Sequence, residues 1–152
     1  MTLQVISSGG QLGQERADEQ ILRVSAMPYA ISIGFLILAV LHASPALLAL
    51  RPELMASLYG PAAASSGLGI LLHHRAMMFM LVVLACIAAA FMPQIRSAGV
   101  VLTGWSMIGF LVAYWLGGSP AGALHRIALA DLACVPVLLF LVWAVFFRTS
   151  SI

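Results

Sequence analysis

The chain has 152 residues, of which 62% are hydrophobic and 8% charged, and its formal net charge is +2. A soluble domain of this length could not hide so much apolar surface in one core, so composition leaves an integral membrane protein. The seven basic residues are all arginines standing singly along the chain. They form no basic stripe, which excludes nucleic acid as a partner and leaves the lipid bilayer.

Residues 1–26 read as a polar amino-terminal tail, with Ser7-Ser8-Gly9-Gly10 followed by Glu15, Arg16, Asp18, Glu19 and Arg23. It lacks the short apolar core and small-residue cleavage site of a signal peptide, so the first span is expected to act as its own insertion signal. Leu12, Ile21, Leu22 and Val24 allow a short interfacial helix over 14–26, with a disordered tail as the alternative.

Arginines then divide the chain into apolar runs, each meeting the roughly 20 residues that a helix needs to cross a bilayer. The first span is predicted over 28–44, opened by Met27-Pro28, since proline suits a first helical turn. Ser44-Pro45 is expected to kink or restart that helix, leaving an interfacial segment over 45–58 before a turn at Tyr59-Gly60-Pro61. Ser65-Ser66 supplies an N-cap for a second span over 67–92, ended by Met92-Pro93. The third span is expected over 98–116 and the fourth over 121–147, capped by Ser119-Pro120 and followed by a short tail, 148–152. The fold class is therefore an all-α membrane protein, a four-transmembrane-helix up-down bundle occupying 27–147.

Within the third span, Gly99/Thr103 and Gly109/Ala113 are small-residue pairs four apart that allow close helix approach, within one chain or in a homodimer. Tyr114 and Trp115 at one level, with Tyr29 and Trp143 at the other, suit interfacial aromatic belts. Arg16, Arg23, Arg96 and Arg148 fall on one side and Arg51, Arg75 and Arg126 on the other. The positive-inside rule then puts both termini in the cytoplasm.

Four antiparallel crossings bring His42, His73, His74 and His125 to one face. Asp131 is the only acid inside a span, where a lone carboxylate would cost several kcal/mol, so it needs a partner. At 1.5 Å per residue, Arg75 lies roughly 13 Å from a helix start at 66 and Asp131 roughly 16 Å from a start at 120. Arg75 and Asp131 are thus the expected intramembrane pair; Arg126, about 140° around the helix from Asp131, is a poor partner.

His42, His74 and His125 at similar depth raise haem b ligation, although their spacing does not show two imidazoles facing across a macrocycle. His73/Met77 and His74/Met78 share helix faces at copper-compatible spacing, yet Met77 and Met78 point about 100° apart and methionine commonly fills apolar packing. No metal or cofactor is therefore predicted. Cys86 and Cys134 lie in apolar helices without a Cys-x-x-Cys pair and read as small hydrophobes. The dipeptide His74-Arg75 recurs as His125-Arg126, which could be the remnant of a two-plus-two helix duplication. Phosphate loops, metalloprotease histidine pairs and nucleophile elbows are absent, so no catalytic residue is assigned.

Through Tyr59-Gly60-Pro61, His74-Arg75-Ala76, Ala89-Ala90-Phe91-Met92-Pro93 and Ala130-Asp131, residues 27–147 resemble small four-helix bacterial membrane proteins of the DoxX-like family. The resemblance implies the bacterial inner membrane, and some relatives are quinone-linked subunits of sulfur-oxidising systems. Similar proteins are sometimes labelled phosphopantetheine adenylyltransferase. That enzyme is a soluble nucleotide-binding α/β protein with a His-x-Gly-His phosphate motif, which none of the four histidines here enters. The leading expectation is a non-enzymatic subunit or small-ligand binding module with its polar centre at one membrane face, working with a membrane-protein partner or as a homodimer. A quinone-linked redox subunit, in which His74, Arg75 and His125 bind the quinone carbonyls, is the rival; His42, His73, His74, His125 and Arg126 are the candidate ligand or quinone contacts. A small transporter component is the third alternative.

Overall fold

The computed structural model describes the backbone of residues 4–54, 57 and 66–148, and the side chains of 27–51, 53, 54, 57, 67–122 and 124–148. All regular structure among these residues is helical. Helix α1 runs Gln4–Leu50, α2 Ser66–Phe91, α3 Arg96–Leu116 and α4 Ala123–Val142, which continues as a π-helical turn, Trp143–Phe147. Short 3₁₀ turns occupy Pro52–Leu54 and Pro93–Ile95. The chain divides into two compact units, Met1–Ile31 and Ser32–Ile152, and the helix contacts described lie within the second.

Among the described residues, four stretches are long and apolar enough to cross a membrane: Met27–Leu50, Gly67–Phe91, Pro93–Leu116 and Leu124–Phe147. At 1.5 Å per residue, their 24 or 25 residues give about 36 Å each, more than the roughly 30 Å of a hydrocarbon layer. Their outward faces are as apolar as their buried ones, with Val40, Ile70, Leu84, Trp105 and Leu132 all exposed.

The first helix departs from its expected end, for it passes through Ser44-Pro45 without a break and stops at Leu50. An interior proline costs about 3 kcal/mol in isolation. Tertiary burial outweighs that here, since Ala46 and Leu48 are buried and Leu48 packs with Ala76, Ala49 and Leu72. The segment expected along the interface at 45–58 is therefore helical to Leu50, with Pro52–Leu54 as a 3₁₀ turn. The Tyr59-Gly60-Pro61 turn and the Ser65 cap lie outside the described residues.

The fourth helix also starts later than expected. Ser119-Pro120 does not cap it; Gly122 does, with φ 97°, a left-handed conformation that favours glycine. Upstream, α3 ends in a turn where the Gly117 and Ser119 N–H groups donate to Ala113 and Tyr114 carbonyls at 2.9 and 3.0 Å. His125 and Arg126 consequently sit in the first turn of α4 instead of deeper, and both are exposed.

Helices α1, α2 and α3 approach closely at Gly99. A methyl group there would lie 2.8 Å from Ala89 Cβ and 3.1 Å from Phe35 Cε1. One turn on, Thr103 is fully buried and its hydroxyl is 3.0 Å from the Cys86 thiol, a polar link between α2 and α3. The Gly99/Thr103 pair thus serves packing within one chain. Gly109 and Ala113 are exposed, and Gly109 has open space where a side chain would stand. Away from the histidines, Ser32 Oγ donates to the Ala90 carbonyl at 2.6 Å, and Arg96 donates to Ala89 O and Ser32 Oγ at 3.3 Å each.

Candidate functional site

A loose stack of mutually tilted rings and one guanidinium crosses the four helices. His42 of α1 packs on Phe79 of α2 with ring centroids 5.7 Å apart. The Arg75 guanidinium carbon stands 5.3 Å from the centroid of Phe79 and 5.0 Å from that of Phe110 on α3. Phe110 neighbours Tyr114 at 6.2 Å, and Tyr114 neighbours His125 of α4 at 6.3 Å. Helical spacing builds the inner links, because Arg75/Phe79 and Phe110/Tyr114 are four residues apart and share a face. Each cation–π contact is worth about 0.5–2 kcal/mol, the more so when desolvated.

Histidines close both ends of the stack. His42 is 2% exposed, and its Nδ1–H donates to the Leu38 carbonyl at 2.8 Å. Nε2 is then the unprotonated acceptor, and it is buried with no hydrogen-bond partner among the described residues. At the other end, the Tyr114 hydroxyl lies 3.2 Å from the Pro120 carbonyl and 2.8 Å from His125 Nδ1. A phenol donates once, so O–H directed to Pro120 leaves His125 Nδ1–H as the donor to the phenol oxygen. That network fastens the α3–α4 loop to the first turn of α4.

Arg75 and Asp131 do not form the expected salt bridge. Counted from the observed helix starts, they lie about 14 and 12 Å along their helices, so the depth argument holds. Rotation decides otherwise: the guanidinium is held between Phe79 and Phe110, toward α3. Asp131 is buried on α4, and Arg75 acts on it only through space. Among the described residues, no hydrogen bond or salt bridge engages either side chain.

Between α2 and α3 lies a cavity of about 350 Å³. Arg75, Phe110 and Ala113 line one end and Val82 and Leu102 the other, with Met78, Phe79, Trp105 and Ser106 between. Among the described residues Arg75 is the only charged group in its wall, and Ser106 adds a hydroxyl. From Arg75 to Val82 the wall extends about 10 Å along α2. This is a slot for a small, mostly apolar molecule carrying one acceptor group at the Arg75 end.

Of the residues expected at the site, Arg75 lines this cavity and His42 and His125 end the stack. His73 is half-buried, while His74 and Arg126 are exposed, and none of the three enters the stack or the cavity wall. His42 and His125 are separated by the whole stack and do not face one another. No three His, Cys, Asp or Glu side chains gather into a metal-binding group among the described residues. Sequence reasoning missed Phe79, Phe110, Tyr114 and Ser106. The four-residue spacing of Arg75 to Phe79 was the available signal.

Comparison with protein-family models, curated proteins and solved structures finds no match.

Proposed function

We propose that this chain is a small multi-pass protein of the bacterial inner membrane, of DoxX-like type. It acts as a non-enzymatic ligand-binding module or subunit, with both termini in the cytoplasm. The observation that carries the reading is the α2–α3 cavity with Arg75 in its wall. Its volume falls within the roughly 300–1,000 Å³ of small-molecule sites, and such sites are largely apolar with a few polar groups that orient the ligand. A charged side chain inside an apolar span is costly to retain unless it has work to do. Here it has two ring faces and an open slot.

A quinone-linked redox subunit is the second reading, favoured by the same wall. Phe79 and Phe110 offer flat faces to a ring, and Arg75 and Ser106 offer donors to its carbonyls. His74, His125 and Arg126 no longer support it, since none lines the slot. Transport has least support, because Arg75 and Asp131 make no continuous polar path.

Purification in mild detergent, followed by absorbance and mass spectrometry of an organic extract, separates these readings. A stoichiometric amphipathic compound lost on Arg75→Gln supports the binding module. Stoichiometric quinone with a redox-active spectrum favours the subunit of an electron-transfer system. An extract without any enriched compound, from wild type and variant alike, counts against both.

A further inference from the structure

Resting on the reading of the α2–α3 cavity as a ligand site in the membrane, we infer that its ligand is a single-chain amphipathic carboxylate. The anionic head meets Arg75, and the chain lies against Met78, Val82, Leu102 and Trp105.

Charge sets the head. The guanidinium carries five N–H donors, and among the described residues none has a hydrogen-bond acceptor or a salt-bridge partner. The two rings at 5.3 and 5.0 Å face the cation but accept no in-plane hydrogen bonds. Asp131 makes no salt bridge with Arg75 and takes no part in the cavity wall. A carboxylate matches the fork of a guanidinium with two parallel hydrogen bonds, stronger than the bond a neutral carbonyl accepts. In an apolar layer, that pairing satisfies both partners at once.

Depth and size set the body. Arg75 lies about 14 Å along α2 from its start, below the level where a phospholipid phosphate is held at the interface. A free carboxylate on one chain can descend to it. The cavity, about 350 Å³, is at the small end of the ligand-site range and suits one chain more than two. Trp105 lines the slot and is 82% exposed, so the slot opens sideways, the route by which a lipid-soluble molecule enters.

Trp105 also supplies the readout. The chain has three tryptophans, and replacing Trp115 and Trp143 by phenylalanine leaves Trp105 alone. A Trp143-only variant reports general partition into the detergent micelle. Each is titrated with a brominated long-chain fatty acid, its methyl ester and a brominated phosphatidylglycerol, and fluorescence quenching is followed.

The acid is expected to quench Trp105 at a concentration at least about tenfold lower than the ester does, after correction by the Trp143-only variant. Arg75→Gln should abolish the preference while keeping ester binding, which shows that the cavity is intact, and Arg75→Lys should keep part of it. Equal binding of acid and ester overturns the carboxylate and leaves a ligand cavity standing. Stronger quenching by the phosphatidylglycerol overturns the single chain. If no probe quenches Trp105 beyond the Trp143 control, the cavity is not a ligand site and both readings fall.

Discussion

Gly99→Ala tests the closest helix approach in the protein with a single methyl group. That methyl would stand 2.8 Å from Ala89 Cβ and 3.1 Å from Phe35 Cε1. Ordinary carbon–carbon contact is about 3.5–4.0 Å, so the first distance is short by nearly 1 Å. Ala89 Cβ is fixed to the α2 backbone and cannot rotate away, while Phe35 is fully buried on α1. Relief therefore requires α2 and α3 to separate, which also stretches the 3.0 Å Cys86–Thr103 link four residues further along α3. Overpacking of this kind costs about 1–3 kcal/mol. Alanine recovers up to about 1 kcal/mol of helix propensity, so the net loss is expected near 1–2 kcal/mol. Gly109→Ala, on the same helix but with open space at its side-chain position, is the matched control and should be neutral or slightly stabilising. Both variants are compared with wild type by denaturant or thermal unfolding in detergent, followed by helical ellipticity. Equal stability of the two variants would refute the three-helix contact at Gly99.

On the membrane reading, reporter fusions after residue 1 and residue 152 should place both termini in the cytoplasm, and an external amino terminus would reverse the orientation. The purified protein should show no Soret band and less than stoichiometric iron or copper by elemental analysis; one metal per chain would refute the separation of His42 from His125. Because Arg75 and Asp131 form no salt bridge, a double-mutant cycle with Arg75→Gln and Asp131→Asn should give a coupling of about 0.5–1.5 kcal/mol. A coupling above about 1.5 kcal/mol, in the upper part of the range for residues in contact, would show direct contact.

Four helices were legible in the sequence because length and apolarity alone decide whether a segment can span a bilayer. Arg75 and Asp131 were legible for the converse reason, since a charge in such a segment stands out. Helix rotation was not. Leu38 is fully buried while Leu36 and Ile37 on the same helix are exposed, and no difference of polarity separates them. In a soluble helix the polar face would reveal the rotation; in one surrounded by lipid both faces are apolar, and small-residue packing decides instead. Gly99 recorded that decision, but Gly109 has the same identity and spacing without the contact. The ring stack depends on this hidden rotation at each of its links between helices. Depth matched Arg75 to Asp131, whereas rotation placed Arg75 against Phe79 and Phe110. The local signals at Pro45 and Ser119-Pro120 failed differently, for burial of Leu48 carried α1 past a proline and the left-handed Gly122 delayed α4 by two residues. A linear reading could thus locate the cation of this site but not what surrounds it, and the surroundings distinguish a structural ion pair from a cavity whose guanidinium meets no acceptor among the described residues.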